Sequence, residues 1–122
     1  MSENSNSKPK YDLEERTFQF AKSVRNIVKT LPKTVANIED SRQVIKASGS
    51  TGANYIEANE ALSKKDFLMR VKISRKEAKE STYWLRLINE TNDLKNKNEI
   101  EDLIQESIEL KKILSAIIEK SK

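Results

Sequence analysis

The feature that most constrains this chain is how little interrupts it: two glycines and two prolines in 122 residues. Many short strands need frequent turns, and turns need residues that tolerate unusual backbone angles. A chain this poor in them is expected to fold into a few long elements. Its apolar residues recur at steps of three and four, the spacing that places side chains on one face of an α-helix. About 120 residues suffice for one domain with a single modest core.

Four helices can be read along the chain, over about 12–31, 34–62, 64–91 and 98–120. Residues 1–10 are polar and predict a flexible tail, after which Asp12 is expected to cap the first helix. The first apolar stripe is Leu13, Thr17, Phe20, Val24, Ile27, Val28 and Leu31. Pro32 closes that helix, because the residue before a proline is pushed out of the α region. The second helix contains the small run Ala47-Ser-Gly-Ser-Thr-Gly-Ala53. A glycine in a helix interior costs about 1 kcal/mol relative to alanine, so either the helix breaks there or a neighbour approaches closely.

Ser63 or Asp66 is placed to cap the third helix, whose stripe is Phe67, Val71, Ser74, Ala78, Ser81, Leu85 and Ile88. The Asn- and Lys-rich segment 92–98 reads as a turn. Ile100, Leu103, Ser107, Leu110, Leu114 and Ile117 follow on the fourth helix. Short connections make consecutive helices antiparallel neighbours. The fold class expected over residues 11–122 is therefore all-α, an antiparallel up-down-up-down four-helix bundle.

The sequence contains neither cysteine nor histidine, which removes disulfides, thiolate nucleophiles, imidazole acid–base chemistry and the usual metal ligands together. No cofactor and no metal are expected, and no catalytic site is recognisable. Nothing at the start resembles a signal peptide, and no segment approaches the ~20 apolar residues of a membrane span. A cytoplasmic protein without membrane contact is expected.

Helix three carries more apolar surface than one core can use. Met69, Ile73, Trp84 and Leu87 cluster well away from its first stripe, Ile104 widens the apolar arc of helix four, and Phe18 sits off the main face of helix one. Contiguous apolar surface usually marks a protein contact, so these six are the candidate interface of a homo-oligomer, with Trp84 as its expected anchor.

The net charge is only +4, but residues 63–93 hold eight basic and five acidic groups. There Lys65, Lys72, Lys79 and Arg86 recur every seven residues, with Lys76 on the same side of the helix. Lys22, Arg25 and Lys29 repeat the motif on helix one. Rows of cations can follow a phosphate backbone, with binding that weakens as salt rises. Charge runs can equally be solvated faces whose lysines pair with Glu80 and Glu90. No aromatic side chains are interleaved with the stripe, so any nucleic-acid contact is expected to be backbone-directed.

The stretches Gly52-Ala-Asn-Tyr-Ile-Glu-Ala58, Ser63-Lys-Lys-Asp-Phe67 and Lys72-Ile-Ser-Arg-Lys-Glu-Ala-Lys-Glu-Ser-Thr-Tyr-Trp-Leu85 resemble, in order and spacing, a bacterial four-helix-bundle family. That family includes the proteins encoded in intervening sequences of 23S ribosomal RNA genes. The likeness is close over residues 48–88 and one of pattern in helices one and four. It implies an antiparallel bundle assembled as a homopentamer. A similar protein serves diversity-generating retroelements as an accessory factor that binds nucleic acid and a reverse transcriptase. Gly49 and Thr51 depart from the family pattern. The family motif also singles out Asn54 and Glu57, read here as a reciprocal hydrogen-bonded pair that fixes helix register. Two functions remain open at this point: an oligomeric protein associated with RNA or DNA, and an oligomeric scaffold or adaptor for a protein partner that binds no nucleic acid.

Overall fold

The computed structural model describes residues 9–122 and contains, among them, four α-helices and no strand: α1 (Pro9–Val28), α2 (Val35–Asn59), α3 (Lys64–Thr91) and α4 (Lys97–Lys120). Residues 1–8 of the expected tail lie outside the described residues. Helix α1 begins upstream of Asp12, so Asp12 is inside the helix rather than its cap. Pro9 is suited to a first turn, where its missing N–H has no intrahelical partner to lose.

The other boundaries have visible causes. Thr34 caps α2 by accepting the Asn37 backbone N–H at 3.1 Å, and Ser63, not Asp66, caps α3 by accepting the Asp66 N–H at 3.1 Å. Asp66 instead places a carboxylate in the first turn of α3, where the helix dipole favours negative charge.

The helices pack in cyclic order, each beside the next and α4 returning to α1, while α1 and α3, and α2 and α4, lie diagonally across the core without close backbone approach. The core at their centre draws on the expected stripes of α1, α3 and α4, with Phe20, Val24, Val71, Leu85, Ile88, Ile100, Leu110 and Leu114 almost completely buried, and is completed by Val44 of α2 and by Ile118, which is buried in place of Ile117. Hydrogen bonds join the ends of neighbouring helices. Asn59 near the end of α2 donates to Glu14 near the start of α1 at 2.7 Å, and Asn96 before α4 donates to Thr30 after α1 at 3.3 Å.

At the start of α2, Asn37 and Asn92 exchange amide hydrogen bonds of 2.8 and 2.9 Å, while Asn37 also donates to the Pro32 carbonyl and Asn92 to that of Ile88. Asn37 is only 3% exposed. Asn92→Ala leaves its amide half-satisfied and is expected to destabilise the fold by about 1–3 kcal/mol, read as a lower urea midpoint at unchanged slope.

Helix α2 runs unbroken through residues 47–53, and both of its glycines have ordinary helical backbone angles. Close approach explains one of them. A Cβ on Gly52 would lie 2.7 Å from Thr17 Oγ1 and 3.1 Å from Thr17 Cβ, so α1 occupies that space. Across the same helix, Ser74 Oγ donates to the Thr51 carbonyl at 2.6 Å, and the fully buried Thr51 hydroxyl donates to the Ala47 carbonyl. Polar Thr51 is thereby satisfied although fully buried. At Gly49 a Cβ would meet only Arg25 Nη2, at 3.6 Å. Gly49→Ala is therefore expected to raise stability by up to about 1 kcal/mol through helix propensity, seen as a higher melting temperature.

Candidate nucleic-acid interface

The basic stripe of α3 faces the flank shared with α4. Lys72, Lys76 and Lys79 line an open groove of about 370 Å³ together with Arg75 of α3 and Lys111 and Ser115 of α4. Arg75 leans across it, donating from Nη1 to Ser115 Oγ at 3.4 Å. Higher on the same helix pair, Thr82 and Ser107 share a hydroxyl contact of 2.6 Å that holds α3 and α4 together. Five cations from two helices thus surround one cleft.

Little compensates them. Lys76 pairs with Glu77 at 3.7 Å, but Lys72, Lys79 and Lys111 have no ion-pair partner among the described residues. The expected local pairing holds for Glu90, which contacts Arg86 at 3.4 Å on a well-exposed surface, and it does not appear for Glu80. At the end of α4 the carboxyl of Glu119 is held below its ordinary range, chiefly by the Lys122 ammonium that donates to it, with Arg75 adding a smaller attraction. Lys65, exposed in the first turn of α3, and Arg86, exposed near its end, extend the stripe beyond the groove in both directions.

Periodicity along α3 finds three of the five groove cations. It misses Arg75, which sits toward α4 at the edge of the stripe, and Lys111, whose inclusion depends on the rotation of α4 against α3. The second set, Lys22, Arg25 and Lys29, lies on a different face, lining a groove between α1 and α2. In the cyclic order of the helices that groove is opposite the α3–α4 groove. One nucleic-acid backbone cannot lie against both sets on a single bundle.

Asn54 and Glu57 do not form the expected pair. Arg70 Nη1 of α3 donates to Asn54 Oδ1 at 3.1 Å, and Asn54 Nδ2 donates to the Ser50 carbonyl at 2.9 Å, whereas Glu57 is exposed. Residues three apart lie only about 60° from each other around a helix, so the two could have met, but Asn54 is engaged by Arg70 of α3 while Glu57 stays in solvent. The contact Asn54 makes between helices is with Arg70.

The six candidate interface residues do not form one patch. Phe18 is 61% and Met69 48% exposed, while Ile73, Trp84, Leu87 and Ile104 are half-buried. Trp84 and Ile104 pack against the bundle's own core, and the Trp84 ring meets Tyr83 edge-on at 5.0 Å. Phe18 lies beside Ile56 in the α1–α2 groove. The second stripe of α3 is thus partly absorbed by the monomer.

Comparison with known proteins places this geometry. The sequence matches the profile of the 23S rRNA-intervening sequence proteins over residues 10–116. The chain belongs to that family. A structure from the S23 ribosomal protein family of Bacteroides thetaiotaomicron, a protein described as of unknown function, is similar at 31% identity with a TM-score of 0.76. The match covers 87% of this chain and 97% of that one. No curated protein matches the chain. Membership in the 23S rRNA-intervening sequence family therefore extends the resemblance from the central half to all four helices. No helix among the described residues is long and apolar enough to cross a membrane.

Proposed function

We propose that this member of the family is a non-catalytic, cytoplasmic, self-assembling bundle that holds the phosphate backbone of RNA or DNA in the groove between α3 and α4. The observation that carries this reading is the convergence of Lys72, Arg75, Lys76, Lys79 and Lys111 on one open cleft with a single ion pair, Lys76 with Glu77, among them. Such a cleft concentrates positive potential where an extended polyanion can enter. Its side chains offer charge and N–H donors but no aromatic platform for bases, so contacts position the strand without reading its sequence.

The antiparallel up-down-up-down arrangement is supported by the end-to-end contacts of Asn59 with Glu14, Asn96 with Thr30 and Asn37 with Asn92. Self-assembly is supported by the apolar side chains that the monomer leaves exposed, Phe18, Ile56 and Met69 among them. Five copies, the number implied by the family resemblance, would set five basic grooves around one axis and multiply the field of each.

Gel filtration with light scattering and paired absorbance at 260 and 280 nm tests both parts. The expected result is a mass of several chains and co-eluting nucleic acid that is released by high salt. A chain that assembles but retains no nucleic acid, even at low ionic strength, would make the protein-scaffold function the preferred one.

A further inference from the structure

We infer that the groove between α1 and α2 docks an amphipathic helix of a partner protein, one whose apolar stripe is flanked by carboxylates toward one end. This face lies opposite the α3–α4 groove, and the inference does not depend on what that groove holds. It gives a role to Lys22, Arg25 and Lys29, which the phosphate-backbone site leaves unused.

The lining sets the shape of the occupant. Phe18, Ala21, Gly49, Ala53 and Ile56 line an open groove of about 560 Å³. Phe18 is 61% and Ile56 45% exposed, so apolar area is left uncovered at a concave surface. Ala21, Gly49 and Ala53 raise no wall between these two side chains, and such small residues let another backbone come close. Lys29 lies fifteen residues beyond Glu14 at the opposite end of the lining, roughly 22 Å along α1, the length of about four helical turns.

The charges set its chemistry. Lys22, Arg25 and Lys29 follow Phe18 along α1 at three- and four-residue steps, and all three are exposed. None has an ion-pair partner among the described residues. Lys33 and Arg42 extend the basic end around a neighbouring depression past Ile38 and Ile45. At the other end Glu14 lines the groove, and Glu60 stands exposed one turn beyond Ile56.

A phosphate backbone would satisfy the cations but leave Phe18 and Ile56 in water and run against Glu14. A wholly apolar helix would cover the floor and leave the cations facing nothing. A helix that lays an apolar stripe along the floor, with Asp or Glu beside it over the Lys22–Lys29 half, meets both requirements. The self-assembly proposed above keeps a row of its own, since Met69, Ile73 and Leu87 fall within about 40° of one another on α3.

The probes are labelled peptides of about sixteen residues with leucines at three- and four-residue steps and glutamates in either the first or the second half, titrated with the full chain by fluorescence anisotropy. One of the two arrangements is expected to bind, at least tenfold tighter than the same peptide with lysines for its glutamates or with its leucines scattered off the stripe. Arg25→Glu with Lys29→Glu, and separately Ala53→Trp, which fills the floor from an exposed position, should each weaken that binding about tenfold. Lys72→Glu with Lys79→Glu should leave it unchanged, and the light-scattering mass of the protein should not fall as peptide is added. Four results would each overturn the inference: no binding of either acidic peptide, equal binding of the scattered one, indifference to the substitutions at Arg25, Lys29 and Ala53, or displacement of the peptide by RNA from wild type and from Lys72→Glu with Lys79→Glu alike. A mass that drops on peptide binding would also overturn it, by assigning the groove to a neighbouring copy.

Discussion

Reversing two charges in the α3–α4 groove, Lys72→Glu with Lys79→Glu, is expected to lower affinity for RNA or duplex DNA about a hundredfold at 0.1 M salt. Each phosphate held releases close to one counterion, which makes it worth roughly tenfold at that concentration. Both side chains are exposed and free of ion pairs among the described residues. The variant should therefore keep its helical circular dichroism and its mass in light scattering. The slope of log affinity against log salt should flatten by about one for every phosphate that is no longer held. Preference among sequences should hardly change, because backbone contacts position without specifying. The same reversal at Lys22 and Arg25, on the opposite side of the bundle, should leave affinity close to wild type.

A large loss of stability is expected at Gly52. A Cβ there already falls 2.7 Å from Thr17 Oγ1, closer than real Cβ atoms come, and the obstruction is not a free side-chain end. Thr17 is completely buried, and its hydroxyl is committed to the Glu14 carbonyl at 2.9 Å. Gly52→Leu must therefore push α1 away from α2. Overpacking of this kind typically costs about 1–3 kcal/mol, more than the ~1 kcal/mol that replacing a helical glycine returns. A lower urea midpoint is expected in Gly52→Leu, against the higher melting temperature of Gly49→Ala one turn away. A stabilised Gly52→Leu would show that the α1–α2 contact is not close there.

The contrast between these two glycines shows where sequence reading stops. The run of small residues at 47–53 announces either a break or a close approach, and the stripes of α1, α3 and α4 are visible as three- and four-residue steps, whereas α2 buries mainly small and polar residues that periodicity does not pick out. Pro32 and the Ser63 cap mark their ends. Each of these signals is local to one helix. Which glycine faces α1, which α3 cation meets Lys111, and whether Asn54 finds Glu57 or Arg70 depend on how one helix is rotated and shifted against another. Periodicity along a single helix carries no information on that. The two basic sets look equivalent in sequence for the same reason, and packing places them on opposite sides.

Binding of the unmodified protein to RNA and to duplex DNA, followed across a range of salt concentrations, bears most directly on the basic groove as a phosphate-backbone site. With the five groove cations engaged, log affinity should fall linearly with log salt with a slope of about −3 to −5. It should also be nearly indifferent to base sequence. No measurable binding at low ionic strength, or binding whose affinity does not change with salt, would contradict the proposal.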